Sequence, residues 1–474
     1  MGFWHKMQIP IVSGIYADNG PDLRTSYPVN LMPVPKTSGI SDGFLRPADG
    51  LVANGTGPGI DRGGINWNGV CYRVMGSKLV TVANNGTVTI LGDVDNDNRL
   101  VTMDYSFDRL AIASAGKLFY WSSSLGVVQV TDPDLGLVLD VVWVDGYFMT
   151  TDGEFLVVTE LSNPFAVNPL KYGSSEVDPD PVVGLLKLRN EVYALNRNTI
   201  EVFQNVGGEL FPFQRISGAQ IEKGVVGTQA ACIYMETVAF LGSGFNESPG
   251  IYMGANAQAQ KISTQEIDQL LLDYTEAQLS LVKLEARNDR SHQHLYVHLP
   301  DKTLVFDAAA SEYTGTPAWF ILTSSIIGFS KYRAQNLVWA YDKWLIGDPT
   351  SNNVGYMDQN ISTHYGQKVR WEFATIILYN EGRGAIMNNL ELVGLTGAAA
   401  FGLDPTINTS YSTDGETWSQ QKFIKAGKQG DRAKRLVWFQ QGWMRNWRIQ
   451  RFQGDSDAHM SFVRLEAAIE PLAF

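Results

Sequence analysis

The sequence predicts an all-β protein: a β-propeller of six to eight blades, with an extended N-terminal arm before it and a β-sandwich after it. Three observations carry this. From about residue 43 the chain runs in short β-rich stretches separated by Gly, Asn and Asp turns. The stretches pair into hairpins, and comparable strands starting at Lys78, Lys117, Glu154, Thr199, Gly250, Thr303 and Asn353 step by 39, 37, 45, 51, 53 and 50 residues. Those steps sit near the period of one four-stranded blade, about 40 to 50 residues. The 474 residues are also 44% apolar and include 53 aromatics, enough for a large packed core and too apolar for a disordered chain.

The elements follow in order. Residues 1–40 hold Pro21, Pro28, Pro33 and Pro35, which fix φ and remove donors that a central strand needs, so an extended arm is expected. Residues 41–365 carry seven repeat units. Val70 to Val74 pairs with Lys78 to Val82 across Met75-Gly76-Ser77, and Leu110 to Ala113 with Lys117 to Trp121. Val141 to Val144 meets Tyr147 to Thr150 across Asp145-Gly146, a two-residue turn suited to a right-twisted hairpin. Further pairs lie around Asn190, around Glu236, across Pro300-Asp301-Lys302 and across Asp342-Lys343. Stacked sandwiches also produce irregularly spaced hairpins; a closed ring is favoured because it leaves only short, protected sheet edges.

One helical insertion is expected near 263–284. Ser263 and Glu266 have capping-box spacing, Ile267, Leu270, Leu271 and Tyr274 share a face, and Thr275 with Gln278 offers a second cap. Past residue 365 the spacing breaks, and strands around Arg370 to Tyr379, Asn389 to Leu395, Asn408 to Ser412, Lys434 to Phe439, Asn446 to Phe452 and Ser461 to Ala467 predict a sandwich over 366–474. In Arg445 to Phe452, Trp447, Ile449 and Arg451 face one way, the pattern of a half-exposed strand.

Chemistry-bearing motifs are few. Cys71 and Cys232 are too far apart for a disulfide framework or zinc spacing, and two buried thiols are expected. Ser412 to Trp418 resembles an Asp-box hairpin lacking one residue between Asp and Gly, and reads as a plain turn. Asp93-Val94-Asp95-Asn96-Asp97-Asn98 with Asp104 starts like a calcium loop but has Asn98 and Asp104 where glycine and glutamate belong, so a solvated inter-blade loop is expected. His292, His294 and His298 share a face if their segment is a strand, yet no carboxylate or Cys nearby in sequence completes a metal set. No phosphate loop, nucleophile elbow or metalloprotease motif appears, so no catalytic residue, metal or cofactor is expected. Met1 to Lys6 has no basic segment leading into an apolar run, and Leu135 to Val144 is too short to span a bilayer, which fits a soluble protein without a membrane anchor, kept in a reducing compartment.

Charge is more informative. The chain carries a net −12, which excludes a generally basic nucleic-acid binder. Within 422–451, however, Lys422, Lys425, Lys428, Arg432, Lys434, Arg435, Arg445, Arg448 and Arg451 stand against Asp431 alone, a local +8 that leaves −20 elsewhere. Trp438, Phe439, Trp443, Trp447 and Phe452 are interleaved with them. The stretch reads either as a docking surface for acidic protein or phosphate, or as sandwich core with a solvated face.

Ordered segments then bring a resemblance. Tyr27-Pro28-Val29-Asn30-Leu31-Met32, Pro35-Lys36 and Gly43-Phe44-Leu45-Arg46 with Gly50 are followed by Tyr72 to Leu79, Lys223 to Thr228, Tyr274-Thr275-Glu276-Ala277, His298-Leu299-Pro300 and Leu304 to Asp307. Over roughly residues 8 to 310 this set resembles the packaged-DNA stabilisation proteins of short-tailed, P22-like bacteriophages. The resemblance implies a virion structural protein, the tail hub or nozzle. It implies a hexameric ring beneath the dodecameric head-to-tail adaptor, assembled in the host cytoplasm, which helps close the channel after packaging and supports a tail needle and tailspikes or tail fibres. Packaged DNA would pass through the ring without sequence-specific binding. The arm residues Tyr27, Pro28 and Asn30 and the nine cations are the expected protein contacts. A glycan-binding or glycan-cleaving propeller, of tailspike or sialidase type, is the alternative.

Overall fold

The computed structural model describes residues 5–11, 27–36, 39–175, 180–255, 257–415, 417–457 and 459–472. Among them, seven four-stranded antiparallel sheets follow one another along the chain as the blades of a propeller. Blades 1 to 6 span 61–93, 102–129, 140–174, 182–215, 231–261 and 283–322; each is a simple up-and-down meander. Blade 7 takes three strands from 335–358, and its fourth is Gly50–Thr56, paired antiparallel with Asn353–Asp358. The first strand of each blade packs on the first strand of the next all the way round, with Gln335–Ala340 against Asp61–Trp67 closing the ring. All seven starting positions read from the spacing fall at the third strand of a blade or one residue before it.

The turns explain the local pairing. Asp145 and Gly146 both adopt positive φ, +48° and +92°, the geometry that matches the strand twist. Buried aliphatic residues form the seams between blades: Val74, Leu79, Leu110 and Ile112 lie in one cluster, and Val142, Leu156, Leu185 and Val192 in another.

The helical insertion differs in detail from expectation. Helix Gln265–Leu272 starts one residue later than the Ser263 cap implies: Thr264 is the N-cap, while Ser263 Oγ donates to Asp268 Oδ1 at 2.6 Å. The capping box sits instead on the short helix Glu276–Leu279, between Thr275 and Gln278. Ile267 and Leu271 bury this insertion in the core of blades 4 to 6. A further helix, Ala308–Thr314, unmarked by any apolar period, bridges the last two strands of blade 6.

The C-terminal unit is a two-sheet sandwich. One sheet orders Leu31–Pro35, Gly43–Pro47, Phe462–Pro471, Ala385–Gly394 and Leu436–Phe439, with His5–Ile9 added on Phe462–Pro471 and Trp443–Met444 on Ala385–Gly394. The other orders Arg370–Ala374, Trp447–Asp455, Thr406–Ser412 and Lys422–Lys425, with Leu378–Tyr379 alongside. The expected free arm is therefore corrected: its described parts, 5–11 and 27–36, are built into this chain's own fold, and Ile9, Ile11, Leu31 and Leu45 sit in the sandwich core beside Phe373, Phe452 and Phe462. Pro33 and Pro35 are tolerated because their strand lies at the sheet edge. Gly43–Pro47, expected in the propeller, also belongs to the sandwich. Residues 12–26, including Pro21, lie outside the described residues.

Candidate functional site

The arm residues form a joint between propeller and sandwich. Val29 N donates to Glu372 O at 2.8 Å and Glu372 N to Val29 O at 3.1 Å, so this segment pairs with the edge of the five-stranded sheet. On its other side Ile321 N donates to Pro28 O and Asn30 N to Ile321 O, both at 2.8 Å, tying it to the outer strand of blade 6. Asn30 is buried with φ +51°; its Nδ2 donates to Thr323 O at 3.0 Å and Arg370 O at 2.7 Å, and its Oδ1 accepts Thr323 N at 3.1 Å. A left-handed backbone suits asparagine better than most residues. Tyr27 hydroxyl meets Thr264 Oγ1 at 2.6 Å. Expected as contacts to other subunits, Tyr27, Pro28 and Asn30 instead make contacts within the chain.

Charged locks surround this joint. Asp49 is buried between Arg46, at 2.9 Å, and Arg287, at 2.5 Å. Burial works to raise its carboxyl, but the two guanidiniums hold it below the usual value. Asp61 and Arg73, both wholly buried, pair at 2.8 Å in blade 1; Arg73 also donates to Asn336 O at 2.7 Å, and Asn336 Nδ2 to Asp61 Oδ2 at 2.5 Å. Glu285 accepts Asn336 N at 2.8 Å and Leu337 N at 2.7 Å and meets His298 Nε2 at 2.9 Å. Against the desolvation that would raise it, Lys283 and His298 bring its carboxyl down to about 2. Blades 6, 7 and 1 are thus latched where the ring closes. Sequence reading missed these groups because the latches rest on pairs far apart in the chain, such as Asp49 with Arg287 and Asp61 with Asn336.

The basic stretch divides into inner and outer residues. Arg448 is fully buried over the Tyr411 ring at 3.7 Å, and it donates to Gln450 Oε1 at 3.0 and 2.7 Å and to Gln441 O at 2.6 Å. Burial with no carboxylate beside it lowers its pKa to about 10. Arg451 lies half-buried over Trp418 at 3.9 Å. Arg448 is a correction to the expected interface, because its face of strand Trp447–Asp455 is buried with Gln450 and Phe452, while Trp447 and Arg451 stand half-buried on the opposite face, as the alternation predicts. Lys422, Lys425, Lys428, Arg432, Lys434, Arg435 and Arg445 are exposed. Arg435 is held bidentate by Glu391 at 2.7 and 2.6 Å, and Lys425 lies 3.7 Å from Asp404.

The edge strands Lys422–Lys425 and Leu436–Phe439 bring the two sheets together: Trp438 Nε1 donates to Lys422 O at 3.0 Å, and Lys422 Nζ to Gln440 O. Trp438 and Phe452 are core, whereas Phe423, Phe439 and Trp443 are about 60% exposed. The sandwich edge is therefore both basic and aromatic at its surface.

The other motifs are engaged structurally. In the 93–104 loop Asp93 pairs with Lys78 at 2.5 Å, Asp95 with Lys117 at 2.6 Å, Asp97 with Arg62 at 2.6 Å and Asp104 with Lys187 at 3.2 Å, so protein cations hold the carboxylates. Asp414 ties its turn by accepting Thr417 N at 2.8 Å; Glu416 lies outside the described residues. Cys71 is buried and Cys232 partly so, and both are free thiols. One propeller face holds a cavity of about 620 Å³ lined by strand ends and connecting loops, among them Leu100, Ala113, Leu137, Val182 and Leu281. Among the described residues no helix is long and apolar enough to cross a membrane.

Comparison with known proteins extends over the whole architecture. The chain is 25% identical to the tail hub protein gp10 of Salmonella phage P22 across 94% of its own length and 95% of the relative's. Among solved structures it is similar to the N-terminal domain of Nup159, at 9% identity and TM-score 0.41 over 70% of this chain and 99% of that one. It is also similar to the Neurospora crassa Pan2 WD40 domain, at 7% identity and TM-score 0.41 over 66% and 95%. The family model described as the bacteriophage P22 Gp10 β-propeller matches residues 7–362, and the one described as the P22 Gp10 β-sandwich matches 370–470. With both domains matched in the order in which the fold presents them, the chain belongs to the phage P22 Gp10 family.

Proposed function

We propose that this chain is a tail hub, a structural component of the virion tail of a short-tailed phage and not an enzyme. One observation carries the reading: a relative named as a tail hub protein aligns along nearly the whole chain, propeller and sandwich together. The polar groups of the joint and latches support it, being spent on holding blades and domains together.

In this reading the chain forms a hexameric ring that docks beneath the head-to-tail adaptor, helps close the DNA channel and carries the needle and the tailspikes or tail fibres. Ring contacts are heterologous, one face of a copy meeting a different face of the next. The exposed cations Lys428, Arg432, Lys434 and Arg445, with Phe439 and Trp443, are the side offered to a neighbour, and the balance of −20 over the rest of the chain supplies the acidic residues such a neighbour would present. Assembly takes place in the host cytoplasm.

Quantitative mass spectrometry of purified particles, normalised to the portal protein, tests the role. About six copies per particle are expected for a closed six-fold ring. Absence from particles overturns the reading. Charge reversal at Lys428, Arg432 and Lys434 together is expected to reduce incorporation while leaving the monomer's melting temperature unchanged; full incorporation removes this edge from the interface.

A further inference from the structure

We propose that His292, His294 and Asp307 of blade 6 form a binding site for a divalent transition-metal ion, with zinc the ion their chemistry fits. His292–His298 is the second strand of the blade, and the period of two puts His292, His294 and His298 on one face. Counted from the hairpin at Pro300-Asp301-Lys302, the pairing His298↔Thr303 brings His294 opposite Asp307. The carboxylate missing from the sequence near these histidines thus stands on the adjacent strand.

The aspartate is fixed before any ion arrives. Asp307 is fully buried, and its Oδ1 accepts N–H groups of Gln293 at 3.2 Å, Ala309 at 3.2 Å and Ala310 at 3.4 Å as the N-cap of helix Ala308–Thr314. This leaves Oδ2 turned to the imidazoles, 2.6 Å from His292 Nδ1 and 3.6 Å from His294 Nε2. The rings stack with centroids 5.3 Å apart.

His294 supplies an independent observation. It is 1% exposed, yet neither ring nitrogen has a hydrogen-bond partner. A buried polar group left in that state is costly, and an ion at Nε2 relieves it. Ligand atoms of the three residues lie within 4.8 Å of one another. Tetrahedral zinc with bonds of about 2.0–2.2 Å sets its ligands about 3.3–3.5 Å apart, between the two separations seen here, so small ring rotations suffice. Two imidazoles and one carboxylate leave the fourth position for water, reached past the more exposed His292 ring.

His298 is not part of the set; its Nδ1 meets Thr303 Oγ1 at 3.0 Å and its Nε2 meets Glu285. An ion here pins the middle strands of blade 6 to helix Ala308–Thr314, whose Tyr313 hydroxyl donates to Lys36 O at 2.7 Å beside the sandwich. The metal would therefore stiffen the joint between the two domains.

The test uses full-length protein stripped with EDTA and desalted. Added Zn²⁺ is expected to bind at about one ion per chain, read by elemental analysis, and to raise Tm by about 2–4 °C, while Mg²⁺ does neither. Co²⁺ is expected to give the visible absorption of a tetrahedral site. His294→Phe and the milder His292→Gln abolish the absorption and the shift, whereas His298→Gln retains both. No zinc retained by the wild-type protein, or a response unchanged in His294→Phe and His292→Gln, overturns the proposal.

Discussion

Propeller and sandwich solve the same problem, burying apolar faces of antiparallel sheet, with opposite use of the chain. Within each blade of the propeller strands pair with their neighbours in sequence, and among the described blade strands only Gly50–Thr56 reaches across the chain, to Asn353–Asp358. In the sandwich distant pairing is the rule: His5–Ile9 lies on Phe462–Pro471, and Leu45 meets Phe462. Local pairing costs little loop-closure entropy, while distant pairing must be repaid by packing. The sandwich should thus depend more on its N-terminal strands than any blade depends on its neighbours.

Removing residues 1–40 is the strongest way to break this difference. It takes Ile9, Ile11 and Leu31 out of the sandwich core along with two strands, and at about 2–5 kcal/mol per deleted buried aliphatic the loss exceeds about 5 kcal/mol. Hydrogen exchange is expected to show residues 370–472 unprotected with blades 1 to 5 still protected. Uniform loss of protection would show instead that the two units fold as one.

Arg73→Met strikes the propeller itself. It leaves Asp61 buried without its cation, at about 3–5 kcal/mol by denaturant unfolding, and the double change with Asp61→Leu recovers much of that. At the joint, Asn30→Ala removes three hydrogen bonds and puts at positive φ a residue that tolerates it less well than asparagine, for about 2–3 kcal/mol. Asn30→Gly keeps the backbone and loses only the bonds, so the gap between the two variants measures strain.

A pH titration makes a smaller distinction. Burial pushes the Asp140 carboxyl in blade 3 up to about 7, although Leu185 N–H and Val141 N–H oppose the shift. A pKa raised on folding means that the native state binds the proton more tightly. The contribution of Asp140 is therefore full below about pH 4 and is lost as pH rises through 7, by at most about 1.4 kcal/mol per unit. Melting temperature is expected to fall between about pH 4 and 7 and level off above, and Asp140→Asn to flatten that fall. The smallest effect belongs to Arg435→Ala, which breaks an exposed pair with Glu391 and is expected to leave the melting temperature unchanged.

The same contrast governs what could be read from sequence. Blades are legible because a hairpin announces itself locally: Asp145-Gly146 specifies its turn whatever surrounds it. The sandwich strands at 5–9, 31–35 and 43–47 are not, because Pro33 and Pro35 point away from a central strand and nothing nearby says that the partner strand Phe462–Pro471 waits at the far end of the fold. The nine cations read as one surface, but Arg448 lies on the buried face of its strand and Arg451 on the opposite, half-buried face, and which face of a strand is covered is a tertiary property. Asp307 was within reach: the Pro300-Asp301-Lys302 hairpin was visible, and counting its register outward leads to His294.

The closing strand of blade 7 has a consequence for synthesis. Gly50–Thr56 leaves the ribosome about 300 residues ahead of its partner, a wait of about 15–60 s at ordinary elongation rates. During that interval the nascent chain carries an unpaired edge, open to chaperones and to other nascent chains. A product interrupted before residue 358 would complete neither ring nor sandwich, and one interrupted later would close the ring but lack sandwich strands. Ring closure thus acts as a length check, passing only chains made at least as far as residue 358.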